Sequence, residues 1–139
     1  MNFLVISRFG VYHWKQFIFE DGSVRDKYWI ALNCTINQKE YHAILPTSKI
    51  VKHKFNTIDT FVIEANKSQY FKVSTLLDFK NIQINSKEEI GIAFQKGNFD
   101  YLGLLEKEIQ SEINKVIANS VTLSEILINT LLCRETKSE

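Results

Sequence analysis

Proline and glycine are scarce, with one proline and five glycines in 139 residues. Such a chain leaves little room for flexible linkers or low-complexity tracts. Cysteine carries no pattern either. Cys34 and Cys133 are the only two, with no C-x-x-C spacing and no histidine set as in a zinc finger, so both are expected as reduced thiols. No apolar run approaches the ~20 residues that a membrane-spanning helix needs. The start, Met1 to Ile6, lacks a basic region and meets Arg8 early, which does not fit a secretory signal. A cytoplasmic location without membrane contact is the expectation. Charge of one sign is lacking as well: a net +1 gives no global pull toward nucleic acid. The chain contains no P-loop, G-x-G-x-x-G, G-x-S-x-G or H-E-x-x-H motif. Nucleotide-binding, serine-hydrolase and zinc-protease readings therefore have no support, and no cofactor or metal is expected.

What the chain does have is apolar bulk, 45% hydrophobic and 12% aromatic residues, enough to fill one core. Its length suits a single domain over 1–139. The first two-thirds carry β-branched and aromatic runs at Val11–Phe19, Tyr28–Leu32, Tyr41–Leu45, Thr60–Ala65 and Val73–Phe79. The first ends in Glu20-Asp21-Gly22-Ser23 and the third at Pro46, which cannot donate to a central ladder. Short strands with short connections predict a barrel over about 10–103. The segment 86–104 reads as two further strands turning at Lys96-Gly97-Asn98, with a short helix over Glu88–Phe94 as the alternative. From about 104 the period changes. Leu105, Ile109, Ile113 and Ile117 form one apolar stripe with Leu102 and Val116 beside it, which predicts an amphipathic helix. Thr122-Leu123-Ser124-Glu125 fits a capping box for a second helix, ending near 133 before a polar, frayed tail over 134–139. The fold class expected is mainly β with C-terminal helices.

Three places could carry chemistry. Asp21 to Lys27 puts Arg25 and Lys27 at the entry to the second strand, where a rigid strand end can hold charges still; an ordinary charged hairpin loop is the plainer reading. Pro46-Thr47-Ser48-Lys49 ends the third strand in two hydroxyls and an ammonium, which can grip a phosphate, or simply cap a turn. Basic residues gather around Lys49, Lys52 and Lys54: residues 1–60 hold eight Lys/Arg against five Asp/Glu, whereas 61–139 hold nine against eleven. His13, His42 and His53 have no partner legible in the sequence, so each is read as structural or solvated.

In this order, GVYHWKQFIFEDGS, KYWIALN, AILPTSK, FKVSTLLDF and GLLEKEIQSEINKVI resemble the MazF/PemK/Kid toxin family, across Gly10 to Ile117. The resemblance implies a small SH3-like barrel with a C-terminal helix. It also implies a toxin that cuts single-stranded RNA without a metal, by attack of the ribose 2′-hydroxyl on the adjacent phosphate. The family's basic residue before a proline is matched by Lys27 followed by Tyr28, with Arg25 as a second candidate. Its third-strand threonine is matched by Thr47, with Ser48 beside it. A lysine with a Thr-Ser pair is also similar to the ToxN-type branch, whose antitoxin is an RNA. Lys27, Thr47, Ser48 and Arg25 would then be catalytic. Lys49, Lys52 and Lys54 would track the RNA backbone, and Trp14, Trp29 or Tyr28 would stack bases. The partners implied are single-stranded RNA, an antitoxin (protein or RNA) and a second copy in a homodimer. The competing reading is a non-catalytic SH3-like module that binds a protein or nucleic acid.

Overall fold

The computed structural model describes residues 4–33, 39–49 and 58–133. In chain order the elements are β1 (Gly10–Ile18), β2 (Val24–Ala31), β3 (Glu40–Ile44), β4 (Thr60–Ile63), β5 (Thr75–Asp78), β6 (Gln83–Ser86), α1 (Lys87–Gln95), β7 (Phe99–Leu104), α2 (Lys107–Ala118) and α3 (Glu125–Leu131). The architecture is mainly β with three helices, as expected. Five strands form one antiparallel sheet in the order β6-β3-β2-β1-β7, and β4-β5 form a second. The two are joined by a bridge between Thr47 and Leu76. Among the described residues the sheet does not close on itself, so the barrel expected over 10–103 is present only as two bridged sheets.

The larger sheet is covered on both faces, which explains why Trp29-Ile30-Ala31-Leu32 is a continuous apolar run rather than an alternating one. Ile30 and Leu32 pack with Val11, Ile44 and the stripe Ile109, Ile113 and Ile117 of α2. Trp29 and Ala31 face the other way, toward Tyr12, Trp14, Phe99 and Ile90 of α1.

Of the two strands read over 86–104, the second is present as β7, whereas the first is replaced by α1, the helix held as the alternative. Residues 87–95 are helical because Ser86 builds a reciprocal cap. Its hydroxyl accepts from the Glu89 N–H at 3.1 Å, and the Glu89 carboxylate accepts from the Ser86 N–H at 3.0 Å. The apparent alternation of Ile90, Ile92 and Phe94 resolves into a buried Ile90–Ala93 pair one turn apart, with Ile92 exposed. β6 was not anticipated, and Leu102 belongs to β7 rather than to the following helix. The cap of α3 is Ser124, which accepts from Leu127 N–H at 3.1 Å. Thr122 instead donates its hydroxyl to buried Asp59, 2.6 Å away, pinning the turn between α2 and α3. Cys133, expected as a free thiol, is disulfide-bonded, and Cys34 lies outside the described residues. No described helix is long and apolar enough to cross a membrane.

His42 on β3 gives the fold a pH dependence. Its Nδ1 is buried with no hydrogen-bond partner among the described residues. Burial lowers its pKa below the ordinary histidine value, outweighing the opposing pull of Glu40. The unfolded chain then binds more protons than the folded one below about pH 6.5, so the stability held at neutral pH is lost as pH falls through that range toward the lower folded pKa. Urea midpoints at pH 7.5 and pH 5 should fall further for the wild type than for His42→Asn. Equal falls would show that His42 contributes nothing to the pH dependence.

Candidate anion-binding cleft

The ladder between β2 and β3 ends at Ile30–Ile44. Beyond it β2 and β1 continue outward as a ribbon, flanked on the β1 side by β7 as far as Trp14, while the other chain reaches Pro46, which has no N–H to offer. Thr47 leaves to exchange both backbone hydrogen bonds with Leu76 of β5, at 3.1 and 2.8 Å. The gap between the diverging chains is a cleft of about 640 Å3.

Lys27 crosses this gap. Its ammonium donates to the Pro46 carbonyl at 3.2 Å, and Arg25, Thr47, Ser48 and Lys49 line the same space. The residues opening the second strand and those closing the third are thus brought together. Arg25, Asp26 and Lys27 are strand residues of β2 rather than a loop, so their backbone is fixed by the ribbon. The Lys27 pKa is lowered, first by burial and then by the neighbouring Arg25 and Lys49 cations. An anion placed among these groups would relieve both penalties. Thr47 Oγ1 accepts from the Lys49 N–H at 3.1 Å, a local turn that leaves the hydroxyl proton available as a donor. Arg25 lies over the Phe19 ring, 4.5 Å from its centre.

The opposite wall comes from the 64–74 loop, which contributes Tyr70, Phe71 and Lys72. Glu106, just before α2, anchors that loop by accepting from Ser68 Oγ at 2.9 Å and from Gln69 N–H at 2.8 Å. The Tyr70 hydroxyl donates to the Leu104 carbonyl at 2.8 Å and passes over Gly103, where a side chain would collide with it. The floor is aromatic: Tyr28 sits edge-on to Phe71 at 5.5 Å and beside His13 at 5.5 Å.

His13, read from the sequence as structural or solvated, lines this cleft, because its register pairs it with Tyr28, which is not legible in the sequence. Asp26 was missed. A bulge in β1 sets Lys15 and Gln16 against Asp26 alone. Gln16 takes a positive φ of 58° there, and its N–H donates to Asp26 Oδ1 at 3.0 Å. The other carboxylate oxygen stands 4.0 Å from His13 Nε2.

No family model matches the chain, and no curated protein matches it significantly. The cleft therefore has to be read from its own chemistry. Arg25 and Thr47 also line a second depression of about 560 Å3, together with Asp21 and Asp78. Trp14 is not in either. It is 7% exposed and packs edge-on to Phe17 and Phe99, away from the cleft, so it is not placed to stack a base there as expected. Trp29 is fully buried as well. Of the three aromatic rings considered for stacking, Tyr28 is the one with exposed surface, 37%. Lys52 and Lys54 lie outside the described residues. Among the described residues no group of three or more His, Cys, Asp or Glu is placed to hold a metal ion.

Proposed function

We propose that the cleft holds a phosphodiester of single-stranded RNA and cuts it without a metal, as the toxin of a toxin–antitoxin pair. The observation that carries this reading is the Lys27 ammonium, held at the Pro46 carbonyl at 3.2 Å, in a cleft that Thr47, Ser48 and Lys49 also line beside an aromatic floor. On this reading the two bridged sheets are a variant of the SH3-like barrel of MazF/PemK toxins, with the cleft where the wall parts.

The reaction follows from the donors present. The substrate's 2′-oxygen attacks the adjacent phosphorus, the O2′–P bond forms, and the P–O5′ bond breaks. The products are a 2′,3′-cyclic phosphate and a 5′-hydroxyl. Thr47 and Ser48 hydroxyls hold the non-bridging oxygens, while Lys27 and Arg25 offset the charge that builds on the phosphorane. Burial and like charge weaken the hold of Lys27 on its proton, which suits it to protonate the leaving O5′. Lys49 and Lys72 meet the flanking phosphates, and Tyr28 offers a stacking face to a base. An antitoxin, protein or RNA, would cover the cleft, and a second copy of the chain completes a homodimer.

Purified protein should cut a single-stranded RNA in excess chelator and leave 2′,3′-cyclic phosphate ends. RNA that is held in a salt-dependent way but never cut would replace this reading with a non-catalytic binding module on the same cleft.

A further inference from the structure

We propose that His13 is the group that accepts the proton of the attacking 2′-hydroxyl, and that Asp26 positions it; this rests on the endoribonuclease reading above. Cleavage by a neighbouring hydroxyl needs an acceptor for that proton as well as cations for the phosphorane. Lys27, Arg25, Lys49 and Lys72 bring donors only, the Thr47 and Ser48 hydroxyls hold the phosphate on that reading, and the Asp26 carboxylate is engaged by the Gln16 N–H. Imidazole is the side chain lining the cleft that takes up and releases a proton near neutral pH.

The backbone places His13 for this. It lies on the face of β1 that carries Val11 in the core, one step further toward the open end of the ribbon, with Tyr28 opposite it on β2 and its ring packed beside the Tyr28 ring. The charged groups around it come from each neighbouring strand. β2 contributes Asp26, whose Oδ2 is 4.0 Å from Nε2. β7 contributes Asp100 as the cross-strand partner, itself paired at 3.5 Å with Lys15 of β1. The 64–74 loop contributes Lys72 to the same cleft. The bulged Gln16 N–H holds the other Asp26 oxygen at 3.0 Å. A positive φ at a non-glycine residue is an uncommon conformation, and here it aims that N–H at the carboxylate.

With Nε2 turned to Asp26, Nδ1 accepts the 2′-hydroxyl proton. The O2′ electron pair forms the bond to phosphorus, the P–O5′ pair leaves with oxygen, and O5′ takes a proton from the Lys27 ammonium. Asp26 stabilises the imidazolium so formed. Exchange with water then returns His13 to the neutral form and Lys27 to the charged one.

The test is single-turnover cleavage of one RNA oligonucleotide from about pH 5 to about pH 9, by wild type, His13→Gln and Asp26→Asn. Binding is measured in parallel on the same oligonucleotide with a 2′-deoxy nucleotide at the cut site. His13→Gln should cut roughly a hundredfold more slowly at neutral pH, lose the rise in rate between acid and neutral pH, and bind the deoxy analogue as the wild type does. Asp26→Asn should cut more slowly than the wild type while binding the deoxy analogue as the wild type does. Wild-type rate and profile in His13→Gln overturn the proposal and leave the nuclease reading standing. A wild-type profile without the acid rise overturns it with no variant needed, should His13→Gln fail to fold. A wild type that cuts no RNA removes both.

Discussion

Lys27→Ala should cut RNA on the order of a hundredfold to a thousandfold more slowly than the wild type, the loss that follows removal of one preorganised donor from a site of developing charge. The reason is geometric. The ammonium is held at the Pro46 carbonyl in the cleft that Thr47 and Ser48 also line, so on the proposed reading it needs no rearrangement as the phosphorane forms. Lys27→Arg should recover part of the rate, since the guanidinium keeps the charge but gives up a proton far less readily. Thr47→Ala should lose about as much as Lys27→Ala, and the double variant little more than either alone, because on the proposed reading the two act on one phosphate. Growth arrest on induction in bacteria reads the same order: wild type arrests, Lys27→Ala and Thr47→Ala do not. Equal cleavage rates for wild type and Lys27→Ala would remove Lys27 from the site.

Trp29→Ala should destabilise the protein by about 3–5 kcal/mol, the range for truncating a large buried aromatic residue. Trp29 is fully buried at the centre of the larger sheet, edge-on to Tyr12 at 5.6 Å and to Phe99 at 5.4 Å. Its indole N–H donates to the side-chain oxygen of Asn85 on β6 at 3.0 Å, so one residue ties β2 to the edge strand two positions away. Asn85 is itself buried. Trp29→Phe therefore separates the two contributions. It keeps most of the packing, leaves the Asn85 oxygen without its donor, and should cost about 1–3 kcal/mol. Urea unfolding of the three proteins measures both effects. A Trp29→Phe variant as stable as the wild type would show that the indole–amide bond adds nothing.

The two effects are separable in experiment because Lys27 and Trp29 lie on the same strand but in different halves of it. The inner half of β2 is enclosed between α1 and α2, and its residues decide whether the sheet forms. The outer half extends past the last β3 partner, where its side chains meet the cleft. Substitutions at Arg25 and Lys27 can thus be read on activity, and those at Trp29 and Ile30 on stability.

Much of this was legible in the sequence, for reasons that can be named. Strands β1 to β5 announced themselves by dense β-branched and aromatic residues bounded by Glu20–Ser23 and Pro46, and α2 by a four-residue apolar repeat that no strand can use. Those signals are local, set by side-chain alternation and turn chemistry. The cation and hydroxyl pairs were also visible as residue types at strand ends. The sequence could not separate strand from helix at Ile90, Ile92 and Phe94, where three apolar residues fit either period. The decision fell to a single cap between Ser86 and Glu89. Nor could it show that Thr122 is drawn away from the helix cap by Asp59, more than sixty positions earlier.

What only the tertiary structure decided is which distant residues share a space. Lys27 and Pro46 meet because β2 outruns β3. His13 faces the cleft because its register with Tyr28 places it there, and Asp26 reaches it because one bulge adds a residue to β1. Trp14, by the same alternation, turns inward and away from the cleft. Strand length, register and bulge position are set by pairing between segments far apart in the chain, so composition and periodicity alone carry the elements but not their meeting point.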